Sequence, residues 1–135
     1  MDFSEIIKPG LEAEITETVM DKNIASIWGS GGLPVYATPC MIASMEKAAL
    51  NSVAPFLPAP WSTVGTEVCI KHLSSTPRGM KITTRAKLLH IDGRALTFTV
   101  EAYDETGKIG EGTHGRFIID EKKFMKKTEA KGGKT

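Results

Sequence analysis

Three polar side chains in this 135-residue chain carry the chemistry that acyl transfer needs. Thr38 supplies a hydroxyl, Glu46 a carboxylate and His72 an imidazole. Thr38 begins the long helical stretch of the sequence, Glu46 lies about two turns further along it, and His72 lies on the apolar side of the next strand. Because periodicity places each of them beside the core, together they predict a site for attack on an acyl carbonyl.

Each of these residues also has a common structural role. Thr38 suits the N-cap of the helix, where a hydroxyl contributes about 1 kcal/mol, and free N–H groups there also attract a developing oxyanion. Glu46 lies at the margin of an apolar stripe, where a carboxylate often reaches solvent or pairs with a lysine such as Lys47. Core histidines like His72 usually have a satisfied hydrogen bond. The sequence alone leaves these alternatives open.

Further residues extend the candidate site. Gly65 lies inside a strand, where glycine indicates either a bulge or a backbone N–H presented to a carbonyl oxygen. Arg116 could bind a phosphate group, although a salt bridge is the commoner role of such an arginine. His90 and His114 are interpreted as structural or surface residues. The histidines and carboxylates are too scattered for a metal motif, so we expect neither a metal nor another cofactor.

Composition limits the partners and the compartment. The formal net charge is +1, which gives no general attraction to nucleic acid or to a membrane surface. No apolar stretch is long enough to cross a bilayer, and the N-terminal residues lack the pattern of a signal peptide. Cys40 and Cys69 fall in apolar segments. Two cysteines so placed predict buried free thiols in a cytoplasmic protein.

The elements that position the candidate residues follow from periodicity. Apolar and polar residues alternate over 11–19, which predicts a strand with Leu11, Ala13 and Ile15 on one face. A short helical patch over 21–28, with Asp21 as a possible N-cap, precedes a glycine-rich loop at 29–34. Four more strands are predicted, over 62–74, 81–91, 94–103 and 109–120, and the Asp92–Gly93 pair predicts a hairpin between the second and third of them.

The long helix is predicted from residue 38 to about residue 54, with Pro39 at its first position. Its apolar stripe consists of Met41, Ile42, Met45, Ala49 and Val53. Ser44, Lys47 and Asn51 fall on the opposite side of the helix. On the strands, one face is assigned to Val64, Thr66, Val68, Ile70 and His72, and another to Leu96, Phe98, Val100 and Ala102.

One long helix cannot cover both faces of a five-stranded antiparallel sheet. The expected arrangement is therefore an α+β hot-dog fold, in which a curved sheet wraps the helix and an uncovered surface or edge is available to a second subunit. Residues 1–127 are assigned to this single domain. Residues 128–135 are assigned to a lysine-rich flexible tail.

Several segments resemble the fluoroacetyl-CoA thioesterase family of hot-dog proteins. They are V-Y-A-T-P-C-M-I-A-S-M-E on the helix, T-V-G-T-E-V-C-I-K-H-L on the next strand, P-R-G-M-K-I-T at a turn and I-G-E-G-T-H-G-R-F near the end. The resemblance covers nearly the whole chain up to the tail. It implies a homodimer, alone or paired into a dimer of dimers, that hydrolyses an acyl-CoA thioester near the subunit interface.

The resemblance also implies roles for individual residues. The family's catalytic threonine, glutamate and histidine fall on Thr38, Glu46 and His72, its glycine near the acyl carbonyl falls on Gly65, and Arg116 has a structural or CoA-proximal role. The family's lid phenylalanines are replaced by G-S-G-G-L-P-V-Y, so Tyr36 is the aromatic residue left there to contact substrate. A glycine-rich lid should discriminate small acyl groups less well, which argues against fluoroacetyl specificity.

Three other functions fit the same fold. A non-catalytic acyl-CoA-binding protein would use the same pocket without cleaving its ligand. Hydration of an enoyl-CoA ranks low because the Asp–His pattern of hydratases is missing. A purely structural dimer is the remaining alternative, since a fold does not by itself determine a function.

Overall fold

A long helix packed on one five-stranded sheet dominates the computed structural model, which describes residues 1–133. The helices are α1 (Ala25–Trp28), α2 (Thr38–Val53) and α3 (Glu121–Lys131), and short 3₁₀ turns span Phe3–Glu5, Asp21–Asn23 and Ala54–Phe56. The strands are β1 (Glu12–Thr18), β2 (Trp61–His72), β3 (Lys81–Asp92), β4 (Ala95–Asp104) and β5 (Gly107–Asp120). All neighbouring strands are antiparallel, in the order β1-β3-β4-β5-β2.

Two tight turns connect the central strands. The predicted hairpin at Asp92–Gly93 is confirmed, and Gly93 has the positive φ of 63° that such a turn requires. At the next turn the Asp104 carboxylate accepts hydrogen bonds from the backbone N–H groups of Thr106 and Gly107. These short connections place β3, β4 and β5 side by side.

The core lies between α2 and the sheet. The predicted inward residues of β4 are buried, and α2 contacts both β1 and β3 as well as the central strands. The predicted stripe on α2 is confirmed for Met41, Met45, Ala49 and Val53. The prediction for Ser44 is wrong: this residue is buried and donates a hydrogen bond to Thr84 Oγ1 at 2.8 Å. Because α2 packs against both β1 and β3, the buried part of its surface is wider than the predicted apolar stripe.

A β-bulge divides β2 and changes which of its residues share a face. The register shifts between Gly65 and Glu67. Val64 therefore pairs with Phe117 on the outer face, whereas Val68, Ile70 and His72 pair with inward positions of β5. The prediction that Val64 shares a face with His72 is wrong, because the extra residue of a bulge reverses the alternation. Gly65 lies before the shift and, like Thr63, pairs with an inward position of β5, so it faces α2.

The chain continues past β5 as α3 rather than as an irregular segment. The Asp120 carboxylate caps α3 by accepting from the N–H groups of Lys122 and Lys123. Residues 128–135 were assigned to a flexible tail, but this segment is helical up to Lys131. Residues 134 and 135 lie outside the described residues. Within residues 1–133, every helix is too short or too polar to cross a bilayer.

Candidate active site

Thr38 and His72 form a hydrogen-bonded pair between the start of α2 and the end of β2. Thr38 Oγ1 lies 2.7 Å from His72 Nδ1. The predicted capping role of Thr38 is wrong: the N-cap is Ala37, whose extended backbone precedes the helix, and no side chain caps α2. The Thr38 hydroxyl therefore makes no capping hydrogen bond to the helix backbone and is instead hydrogen-bonded to the His72 imidazole.

The backbone before Thr38 is held from both sides. Tyr36 N–H donates to Thr76 O at 2.9 Å, and Ala37 N–H donates to Asn23 O at 2.8 Å. The Tyr36 ring is buried, and its hydroxyl donates to the Glu17 carboxylate. Burial, reinforced by Glu17, raises the pKa of Tyr36. Tyr36 lines a cleft together with Thr38 and His72, so its contact with substrate stays a prediction.

The His72 imidazole is half-buried. Burial holds the pKa of His72 below the ordinary histidine value. Its Nε2 atom is buried and has no hydrogen-bond partner among residues 1–133. A neutral imidazole with one nitrogen on a hydroxyl and the other unpartnered is suited to receive a proton from Thr38 or from water.

Glu46 lies in a second cluster with Gly65, His114 and Arg116. An added Cβ at Gly65 would lie 2.9 Å from Glu46 Oε2, 3.3 Å from His114 Cε1 and 3.6 Å from an Arg116 terminal nitrogen. The absence of a side chain at Gly65 thus leaves a small space lined by a carboxylate, an imidazole and a guanidinium. These three polar groups therefore approach the Gly65 backbone closely, and a side chain at this position would displace the Glu46 carboxylate.

Hydrogen bonds hold the basic half of this cluster in place. Arg116 is buried and donates through Nε to Thr63 Oγ1 at 2.9 Å and through a terminal nitrogen to Thr63 O at 3.0 Å. His114 Nδ1 donates to Glu67 O at 2.7 Å, so its Nε2 accepts from Arg116 at 3.2 Å. This tautomer is neutral. Burial lowers the pKa of His114, and the Arg116 charge acts in the same direction.

Sequence reasoning missed the part played by His114 and Thr63. His114 was assigned a structural or surface role, but its imidazole is buried against Arg116. A signal was present, because His114, Arg116 and Ile118 alternate along β5 and so share its inward face. No pattern in the sequence identified Thr63 as their partner across the strand pair.

The two clusters are separated within one chain. Glu46 lies about two turns beyond Thr38, or roughly 12 Å along α2. Gly65 and His72 are roughly 20 Å apart along β2. One protomer therefore brings Thr38 to His72, and Glu46 to Gly65 and Arg116, but it does not bring the two groups together. Among residues 1–133 no cluster of His, Cys, Asp and Glu side chains is arranged to hold a metal ion.

Comparison with known proteins identifies the family. A sequence model of the fluoroacetyl-CoA-specific thioesterases matches residues 19–122. The fluoroacetyl-CoA thioesterase of Streptantibioticus cattleyicolor is 38% identical over 97 residues, covering 72% of this chain and 70% of that protein. The chain belongs to the fluoroacetyl-CoA-specific thioesterase family. As a member of this family it is a thioester hydrolase, which confirms the predicted enzyme class.

Solved structures confirm the hot-dog fold. The fluoroacetyl-CoA thioesterase FlK is similar with a TM-score of 0.85 and 30% identity, over 93% of this chain and 97% of that one, and a mutant of it was crystallised with acetyl-CoA. A hot-dog-like protein from Thermanaerovibrio acidaminovorans shares the fold, with a TM-score of 0.90 and 18% identity over the full length of both chains. The segment that matches the thioesterase family contains both clusters described above.

Replacing Gly65 by alanine should impair this thioesterase with little effect on its folding. The new Cβ would lie 2.9 Å from Glu46 Oε2, too close for a real contact, so the flexible carboxylate must move. A shift of about 1 Å at a catalytic group costs about 10²-fold in rate. We expect kcat/KM for thioester hydrolysis to fall by about that factor. Gly132→Ala, which adds a methyl group in ordinary contact at the end of α3, is the control; equal activities in both variants would contradict the prediction.

The stability of this thioesterase should fall as the pH drops below about 6.5. In the folded state the pKa of His114 is lowered, so the unfolded chain binds a proton that the folded chain does not. The groups facing the imidazole are Arg116, the Glu67 carbonyl and Glu46, whose charge opposes the shift without reversing it. We expect the melting temperature to decrease by a few degrees between neutral pH and pH 5. His114→Gln should flatten that decrease, and an unchanged pH dependence in this variant would refute the assignment.

Proposed function

We propose that this thioesterase hydrolyses acyl-CoA and that each active site combines the Thr38–His72 pair of one copy with the Glu46 cluster of a second copy. The proposal is carried by one observation: the hydroxyl–imidazole pair is formed inside the chain, while the carboxylate lies in a separate cluster. Acyl transfer by a hydroxyl, an imidazole and a carboxylate requires all three in contact. A two-fold related copy can supply the missing group.

The edge strand β2 supports such a dimer. It pairs only with β5 among the described strands, so its other side offers unpaired N–H and C=O groups. Every residue from Gly65 to Cys69 is exposed, although a strand that covers a core on one face should alternate. Val68, an apolar residue in the middle of β2, leaves 40% of its surface exposed. A long, partly apolar edge of this kind is suited to pair with another strand.

Two-fold pairing of β2 with itself would join the two clusters. A two-fold axis makes the paired edges antiparallel. With the axis between Val68 and Cys69, at the C-terminal end of the exposed stretch, His72 of one copy lies across from Gly65 of the second. Glu46 and Arg116 surround Gly65. The same pairing therefore brings the carboxylate of one copy toward the half-buried His72 imidazole of the other.

The assembled groups suit hydrolysis. His72 takes a proton through Nδ1 as the Thr38 hydroxyl, or a water molecule that Thr38 and Glu46 orient, adds to the thioester carbonyl carbon. The negative charge of Glu46 of the second copy stabilises the imidazolium. The oxyanion forms near the Gly65 N–H. The C–S bond then breaks, and His72 returns the proton to the thiolate. When Thr38 is the group that attacks, water cleaves the acyl-threonine in a second step. The products are a carboxylic acid and CoA.

Further features of the proposal follow from the chain itself. Every catalytic group is a side chain or a backbone N–H, so the proposed reaction uses no cofactor beyond the CoA of the substrate. We place the enzyme in the cytoplasm, where a reducing environment keeps thiols free. Cys40 is buried as predicted, whereas Cys69 is exposed, so the prediction of a buried thiol is wrong for Cys69. The dimer, or a dimer of such dimers, is the active unit. The proposals of a reaction without a further cofactor and of an active dimer rest on the site geometry and on family membership.

One assay tests the proposed reaction. Release of free CoA thiol is measured over a panel of short, long, branched and aryl acyl-CoA thioesters, together with the mass of the protein in solution. We expect hydrolysis of at least one class, by a species of two or more copies. Thermal stabilisation by CoA esters without any thiol release would show that the site binds acyl-CoA without cleaving it. A fully active monomer would contradict the shared site.

A further inference from the structure

We infer that the thioester's acyl group occupies a cleft between the glycine-rich loop and the end of β2, and that the preferred acyl group is a hydrophobic one larger than acetyl. This inference rests on the proposed function and names the substrate class of the same site. The cleft has a volume of about 390 Å³, and Thr38 and His72 both line it. Its position beside the reacting groups makes it the space into which a group attached to the carbonyl carbon can extend.

Among the residues that the structure describes, the lining of this cleft carries no acidic side chain, lysine or arginine, and about half of it is apolar. The apolar side chains that line it are those of Ala25, Leu33, Val35 and Leu73. The phosphates of CoA bind most strongly to cationic side chains, and none of the described residues lining the cleft is a lysine or an arginine. Leu33 and Leu73 leave 68% and 52% of their surfaces exposed, which an apolar acyl chain would cover.

The size of the cleft decides against a two-carbon acyl group. A water molecule takes up about 30 Å³ of liquid, and a methylene group is of similar size. A volume of 390 Å³ is therefore several times what an acetyl group fills. It lies within the range of about 300–1,000 Å³ that small-molecule pockets occupy. Gly31 and Gly32 keep it open because neither contributes a side chain.

Filling the cleft at Gly31 tests the inference. A Cβ at Gly31 would make ordinary contact, at 3.6 Å, with the Cβ of Ala25, so a leucine there starts inside the cleft without strain. One methylene group in an apolar pocket changes kcat/KM by about 10–200-fold. We expect wild-type kcat/KM to rise from acetyl-CoA through butanoyl-CoA to hexanoyl-CoA. In Gly31→Leu, the ratio of kcat/KM for hexanoyl-CoA to kcat/KM for acetyl-CoA should fall about 100-fold from its wild-type value.

A second variant removes apolar surface instead of adding it. Leu33→Ser should lower kcat/KM for hexanoyl-CoA about tenfold relative to acetyl-CoA. Leu89→Ser is its matched control, because Leu89 is similarly exposed, at 58%, but lies on β3 and outside the cleft. An equal loss for every chain length in Gly31→Leu would show that the cleft holds the pantetheine arm and would overturn the inference. So would a wild-type preference for acetyl-CoA.

A binding measurement separates failure of the inference from failure of the proposed hydrolysis. S-ethyl-, S-butyl- and S-hexyl-CoA are thioethers that no hydrolase cleaves, and their Kd values can be measured by calorimetry. We expect affinity to increase with alkyl length in the wild type and not in Gly31→Leu. That result would support the cleft even in a protein that released no thiol from acyl-CoA. Affinity independent of alkyl length would refute the cleft even in an active enzyme.

Discussion

Replacing His72 by glutamine is expected to lower kcat/KM for thioester hydrolysis by about 10³-fold. The imidazole lies 2.7 Å from the Thr38 hydroxyl, and burial lowers its pKa so that it is neutral and can accept a proton. Glutamine is similar in size and retains a hydrogen bond to Thr38, but it takes up no proton in this pH range. The loss should therefore appear in kcat, with little change in KM.

The measurement is steady-state release of CoA thiol, with circular dichroism to show that the variant is folded. His90→Gln is the matched control, because His90 is exposed on β3 and belongs to neither cluster. It should keep wild-type kinetics. Turnover by His72→Gln at the wild-type rate would remove His72 from the reaction and leave the Thr38–His72 hydrogen bond as a structural contact.

The fold was predictable because its signals are local. The period of α2, the alternation of β4 and the turn at Asp92–Gly93 each determine one element from its own residues. The proximity of Thr38 and His72 could also be predicted, because periodicity places each residue on the side of its element that lies beside the core. The family resemblance depended on segments of α2, β2 and β5 and on the turn before β3, and the family model and the solved structures confirm it.

The parts that escaped prediction depend on contacts across the chain. The bulge at Gly65–Glu67 shows in the register with β5 and not in the composition of β2, so the face of Val64 was assigned wrongly. Ser44 was placed in solvent because the cover that β1 and β3 give to α2 is a tertiary property. The Thr38 hydroxyl was assigned to the helix cap because an imidazole from β2 competes for it only once the chain is folded.

Mixing two inactive variants should restore activity if two copies share each site. Thr38→Ala and Glu46→Gln each damage both sites of their own homodimer. In a mixed dimer both defects fall in one site, because that site takes Thr38 from the first variant and Glu46 from the second. The other site receives an intact Thr38–His72 pair and an intact Glu46 cluster. One of the two sites in each mixed dimer is therefore intact, so we expect the purified mixed dimer to have about half of the wild-type activity.

Thr38→Ala mixed with His72→Gln is the control that makes the result specific. Thr38 and His72 come from the same copy, where their side chains are hydrogen-bonded. Every site in that mixture therefore carries a defect, and activity should stay at the background of the parents. The subunits are exchanged by co-expression with two different tags and purified over both, and thiol release is then measured per mixed dimer. Recovery in neither mixture would place all three groups in one copy, and equal recovery in both would show that the activity does not depend on how the copies share the site.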